Sequence, residues 1–66
     1  MKVFCERLKE LRLEKNLSTL KLSKILNVSD TTIIRWEKGT ITPSIDYLYD
    51  IALFFGVSSN YLIGLK

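Results

Sequence analysis

Residues 18–39 read STLKLSKILNVSDTTIIRWEKG, and their spacing decides the fold. Leu22, Ile25 and Leu26 form an apolar stripe at helical spacing, which predicts a short helix from Thr19 to Leu26. Ser18 sits where its hydroxyl can accept from the free amides of the first turn. Lys21 occupies the position at which Glu would complete a reciprocal capping box, so that start is capped from one side only. Three residues later the pattern repeats. Ser29 caps a helix from Asp30 to about Lys38, Asp30 lies favourably at its positive amino-terminal end, and Gly39 is placed to stop it. Only Asn27, Val28 and Ser29 separate two helices that each carry an apolar stripe. Both stripes can face one core only if the helices cross steeply, which is helix-turn-helix geometry.

The flanking sequence is helical as well. Phe4, Leu8 and Leu11 recur at spacings of four and three, predicting an amphipathic helix to about Lys15, ended by Asn16. Thr40-Ile41-Thr42-Pro43 reads as an extended loop, because β-branched residues before proline avoid helical backbone. Ser44 begins a fourth helix in which Leu48, Ile51, Ala52 and Phe55 keep helical spacing up to Gly56. Val57-Ser58 restarts a short fifth helix near Asn60 to Ile63, closed by Gly64. No segment alternates apolar and polar residues for strand length. The expected fold is therefore all-α, a compact five-helix bundle. Its expected core is Leu8, Leu11, Leu22, Ile25, Ile33, Trp36, Leu48, Ile51, Ala52, Phe55, Val57 and Leu62.

Composition narrows the function. A chain of 66 residues is a single domain, 1–66, and 47% hydrophobic content gives it a dense core rather than disorder. One cysteine, Cys5, and no histidine exclude an internal disulfide and leave almost no soft or imidazole metal ligands, so neither a metal site nor a cofactor is expected. The same lack of histidine removes the commonest near-neutral acid-base group, and Asp46 and Asp50 at i,i+4 read as a surface pair; no catalytic residue is assigned. No apolar run is long enough to cross a bilayer, and charge follows the Met1-Lys2-Val3 start too soon for a secretory signal. A cytoplasmic protein without membrane contact is expected, and no small-molecule effector site is evident.

The formal net charge is +3, unevenly spread. Residues 1–29 hold seven basic residues against three acidic, 30–45 balance, and 46–66 hold Lys66 against Asp46 and Asp50. Such asymmetry permits a side that faces a polyanion. In the third helix Ile33 and Trp36 are a natural buried pair, leaving Asp30, Thr31, Thr32, Ile34, Arg35 and Lys38 around the remaining circumference. Threonine can meet hydrogen-bonding base edges or a thymine methyl, and arginine can fork onto guanine O6 and N7, so this helix can enter a major groove. Ile34 is either a partly covered core residue or one kept for a surface contact. The start of the second helix, with Ser18 and Thr19, can meet phosphate.

Taken together, Arg7 to Arg12, Leu17-Ser18, Leu22-Ser23, Leu26 to Ser29, Thr32-Ile33, Arg35 to Gly39, Pro43-Ser44, Leu48, Ile51-Ala52, Phe55 to Val57 and Tyr61 to Gly64 resemble the Cro/CI-type helix-turn-helix family, also called the Xre family, of phage repressors and bacterial regulators. The resemblance covers essentially the whole chain and places the helix-turn-helix at about residues 18–39. It implies a lambda-repressor-like five-helix domain, bacterial or phage-encoded, that binds double-stranded operator DNA, usually as a homodimer on a palindromic site, and regulates transcription, here as a repressor. It also implies that Arg12 pairs with Glu37, that Asp30, Thr31 and Arg35 contact bases with Thr32 close by, and that Ser18 and Thr19 contact phosphate; Lys38, Thr40 and Thr42 are expected as further phosphate contacts.

Three departures from the family pattern matter. Thr19 stands where glutamine is common, the loop Thr40-Ile41-Thr42 lacks the usual cations, and Asp30 is an unusual neighbour for phosphates. The alternative function is a protein-binding regulatory module, antirepressor-like or antitoxin-like, whose third helix touches protein. The segment from Phe54 to Leu65 carries more apolar side chains than a short terminal helix can bury, so Phe54, Tyr61, Ile63 and Leu65 are the expected dimer surface. With the sequence ending at Lys66, a dimer is expected to be built from the bundle itself.

Overall fold

The structure is a computed structural model and describes residues 2–65. Five helices follow in order: α1 (Lys2–Glu14), α2 (Thr19–Leu26), α3 (Asp30–Lys38), α4 (Ile45–Phe55) and α5 (Ser59–Ile63), with no strand among the described residues. The first helix begins at Lys2, two residues before its first apolar anchor, and the fifth begins one residue before Asn60.

Local chemistry sets the boundaries. Each of α2 to α5 is preceded by a serine, Ser18, Ser29, Ser44 or Ser58, in extended backbone, whose hydroxyl accepts from the amide three residues on. At the other ends, Asn27, Gly39, Gly56 and Gly64 adopt the left-handed conformation. The turn between α2 and α3 closes with the amide of Val28 donating to the carbonyl of Ser23 at 2.9 Å while Val28 packs on the core. Gly39 has φ +80°, and a Cβ there would stand 3.1 Å from Cys5 Sγ, so glycine both stops α3 and lets it approach α1.

The core joins all five helices. Phe4, Leu8, Leu11, Leu22, Leu26, Ile33, Trp36, Ile51, Ala52 and Leu62 are buried, with Leu48, Phe55 and Val57 partly buried against them. α1 packs on α3 and α5, α4 on α5 and α2, and α2 on α3. The Trp36 and Tyr47 rings, 5.4 Å apart between centroids, couple α3 to α4.

One expected core residue is not there: Ile25 is 41% exposed. The buried arc of α2 is Leu22, Ser23 and Leu26. Ser23 is small and its hydroxyl donates to the Leu20 carbonyl at 2.6 Å, so it enters the core satisfied and rotates the helix away from Ile25.

Arg12 is the charged side chain built into this interior. Its Nε and Nη2 donate to the two carboxylate oxygens of Glu37 at 2.6 and 3.0 Å, and its Nη1 donates to the Leu17 carbonyl at 2.8 Å. The side chains of Arg12 and Glu37 are 10% and 9% exposed. One guanidinium thus fixes the end of α1, the loop into α2 and the last turn of α3. The hydrogen bond to Glu37 raises the Arg12 pKa, burial opposes the rise, and the Glu37 charge adds to it. A raised value means that the stabilisation from this cation is complete below arginine's ordinary pKa and is lost only as pH climbs through the raised one. The arginine therefore stays charged from acidic to strongly alkaline solution.

Two stability measurements follow, both by urea unfolding. Leu22→Ala is expected to cost about 2 to 5 kcal/mol and Ile25→Ala less than about 1, because only the first leaves a core cavity. Arg12→Met alone or Glu37→Leu alone is expected to cost about 3 to 5 kcal/mol by stranding its partner, while the double substitution recovers most of that loss. Additive losses in the double variant would show that the two side chains act independently.

Candidate nucleic-acid interface

At 100° per residue, Thr31, Ile34, Arg35 and Lys38 fall within one arc of α3, and all four are exposed. Ile33 and Trp36 are buried on the opposite side. Glu37, the carboxylate that could have offset the nearby cations, is turned inward to Arg12. The outward stripe therefore combines one hydroxyl, one aliphatic group and two cations, with no carboxylate on it.

The expected base-contacting residues divide on this geometry. Thr31 and Arg35 lie in the outward stripe. Thr32 and Asp30 lie on its two flanks and are half-buried. The Thr32 hydroxyl is 2.8 Å from the Ser29 hydroxyl, and its amide donates to Ser29 Oγ at 3.1 Å, so Thr32 is committed to the helix cap. Asp30 has one buried carboxylate oxygen, Oδ1, without a hydrogen-bond partner. That oxygen sits in the first turn of α3, where the helix dipole favours negative charge. Ile34 lies at one edge of the stripe and Arg35 at the other; at 36% exposure Ile34 is partly covered and keeps an open face.

The expected phosphate-contacting residues lie at the start of α2, at the end of α3 and in the loop that follows it. Ser18 is exposed and half-buried Thr19 follows it; Ser18 Oγ accepts from the Lys21 amide at 3.0 Å. Lys21 and Lys24 are exposed on α2. They add cations on α2 to the phosphate contacts expected from the sequence. Beyond α3, the Thr40 amide donates to the Arg35 carbonyl at 3.0 Å, and Thr40 and Thr42 are exposed on either side of Ile41. Buried Pro43 returns the loop to the core.

The four residues expected at a dimer surface do not form one open patch. Phe54 is half-buried, edge-on to Phe55 and beneath the Lys15 ammonium, 5.6 Å from its ring centroid. Tyr61 is half-buried beneath the Arg7 guanidinium, 4.2 Å from its ring centroid, and its carbonyl accepts from Arg7 Nη1. Tyr61 therefore lies against α1, and Phe54 beneath the residue that follows that helix. Ile63 borders a groove between α4 and α5, and Leu65 is exposed past the end of α5.

Among the described residues no group of three or more His, Cys, Asp or Glu side chains is arranged to hold a metal ion, and no helix is long and apolar enough to cross a membrane.

Comparison with known proteins agrees with this architecture. A family model described as a helix-turn-helix domain matches residues 5–66. The HTH-type transcriptional activator BcrR of Enterococcus faecalis is 40% identical over 60 residues, covering 91% of this chain and 29% of that protein. The cryptic phage CTXphi transcriptional repressor RstR of Vibrio cholerae is 29% identical over 61 residues, covering 92% of this chain and 55% of that protein. The HTH-type transcriptional regulator MJ0272 of Methanocaldococcus jannaschii is 47% identical over 51 residues, 77% of each chain. The chain thus spans well under two thirds of BcrR and RstR. No solved structure matches it. With its five helices, its buried Trp36 and a family match running over nearly its whole length, the chain belongs to the helix-turn-helix domain family, in its Cro/CI (Xre) type.

Proposed function

We propose that the domain binds double-stranded DNA sequence-specifically and regulates transcription, with residues 18–39 as its DNA-reading unit and α3 in the major groove. The observation that carries this reading is the outward stripe of α3, Thr31, Ile34, Arg35 and Lys38, on a helix anchored from behind by Ile33, Trp36 and Glu37. Arg35 is assigned to guanine and Thr31 to a base edge; Ile34 meets a thymine methyl. Asp30 and Thr32 border the contact, where Asp30 accepts from cytosine N4 and otherwise repels backbone, so it filters sequence more than it adds affinity. Ser18, Thr19, Lys38, Thr40 and Thr42 hold the phosphates on either side, an arrangement that positions the helix without itself reading sequence.

One such module reads only a few base pairs, and its interface of roughly 600 to 1,000 Å² rarely gives useful specificity against a genome. The reading therefore includes a homodimer on a palindromic operator, with recognition helices about one DNA turn, roughly 34 Å, apart. The second copy is assigned to the carboxy-terminal end, at Leu65 and Ile63 with the open edges of Phe54 and Tyr61. Repression is the assigned outcome, because occupying a promoter requires DNA binding alone, whereas activation requires a further contact with the transcription machinery. The names of the relatives include both an activator and a repressor.

Binding to a panel of duplexes, headed by one selected from a randomised library, tests the assignment. Arg35→Ala is expected to cost about 1 to 3 kcal/mol and to relax preference at one base pair, while Lys38→Ala weakens all sequences evenly. Equal losses on every duplex after Arg35→Ala would reassign that side chain to phosphate. Sedimentation with a palindromic duplex is expected to show two chains bound, reduced to one by Leu65→Glu. Saturation of the unaltered protein at one chain per duplex would refute the dimer.

A further inference from the structure

Ile45, Tyr49 and Leu53 repeat at four-residue spacing along α4 and are 80%, 61% and 63% exposed. At 100° per residue they fall within roughly 80° of one another, on one side of the helix. Single exposed apolar residues are ordinary, but a contiguous row marks an interaction surface. Ile45 and Tyr49 of this row form one bank of a groove of about 250 Å³ lined also by Leu48, Ser59, Asn60 and Ile63. Its floor and α5 bank are uncharged.

Charge identifies the kind of occupant. Between residues 39 and 65 there is no lysine or arginine, and Asp46 and Asp50 are the only charged residues. The same helical arithmetic puts both carboxylates on the outer shoulder of the apolar row, on the side away from the groove, and both are exposed. This face is the electrostatic opposite of the α2 and α3 surface with its lysines and arginine, and it repels a nucleic-acid backbone. A second copy docking through the same face would bring Asp46 and Asp50 of both copies along one contact, a like-charge arrangement that opposes pairing.

From the apolar row, the groove and the two carboxylates, we propose that the α4–α5 face docks a basic amphipathic helix of another protein. That helix lays its aliphatic side chains in the groove and a row of lysines or arginines against Asp46 and Asp50. This is helix-in-groove recognition, in which apolar anchors supply affinity and rim charges select the partner. It gives the domain a protein-binding surface separate from α3, with Ile63 the one groove residue it shares with the proposed dimer contact. The surface stands whether or not α3 reads DNA, because none of its α4 residues belongs to the proposed DNA contacts.

The test uses synthetic helical peptides with leucines on one face, flanked by lysines in one version and by glutamates in the other. Binding is followed by fluorescence anisotropy and by amide chemical shifts of the protein. The lysine peptide is expected to move the signals of Ile45, Tyr49 and Leu53 and to leave those of Thr31 and Arg35 in place. Asp46→Lys combined with Asp50→Lys is expected to weaken the lysine peptide about five- to tenfold and to strengthen the glutamate peptide, both sites being exposed and outside the core. DNA affinity, measured alongside, is expected to survive Tyr49→Lys.

Three results would overturn the proposal. One is equal binding of the two peptides, or none at millimolar concentration. Another is shifts concentrated on α3. The third is concentration-dependent shifts of Ile45, Tyr49 and Leu53 without any peptide, which would assign the face to a second copy of the chain.

Discussion

The Arg12–Glu37 pair is the contact on which the rest of the structure depends. Two short helices, the longer of them 13 residues, and the loop into a third meet at one guanidinium that donates two bonds to a carboxylate on α3 and one to the Leu17 carbonyl before α2. Short helices have little stability of their own, so their relative placement must come from tertiary contacts. An apolar pair in the same place would hold the bundle together equally well. The ion pair adds direction: two parallel hydrogen bonds fix the last turn of α3 about its axis, which packing of Ile33 and Trp36 alone specifies more loosely. It also removes Glu37 from the outer surface, so what α3 shows to solvent is cationic.

That rotation decides which residues are available for recognition. Thr31, Ile34, Arg35 and Lys38 face out together, and Thr32 and Asp30 are drawn to the flanks. α2 serves the same surface from the other side of the three-residue turn, offering its capped start and two lysines. The face of α4 is different in kind, apolar with a carboxylate shoulder. The uneven charge of the chain thus becomes, once folded, a separation of two surfaces of different charge and polarity.

Much of this was legible in the sequence, for physical reasons. Each helix from the second onward opens with a serine and closes with a glycine or asparagine, residues whose side chain or freedom at positive φ solves the problem of unpaired backbone at helix ends. What was not legible depends on contacts distant in sequence. Ile25 was misplaced because a polar letter, Ser23, occupies the core by hydrogen-bonding to its own helix, which shifts the buried arc by most of a turn's quarter. The Arg12–Glu37 contact spans 25 positions and was reachable only through family resemblance, since spacing cannot tell it from an ordinary surface pair. Phe54 and Tyr61 looked like spare apolar surface because helical periodicity takes no account of Arg7 of α1 and Lys15 just beyond it reaching over their rings. The row Ile45, Tyr49 and Leu53 could have been found by extending the periodicity of α4 to its outer side, where three apolar residues keep the same four-residue step.

A surface that binds by displacing counterions from a DNA duplex must lose affinity as salt rises, so the decisive measurement for α2–α3 is salt dependence. The logarithm of affinity for the selected duplex, plotted against the logarithm of salt concentration, is expected to fall linearly and steeply, by about 0.9 per phosphate neutralised. Lys38→Ala should make the slope shallower by about 1. A flat line, with the protein folded and the duplex still bound, would contradict the account.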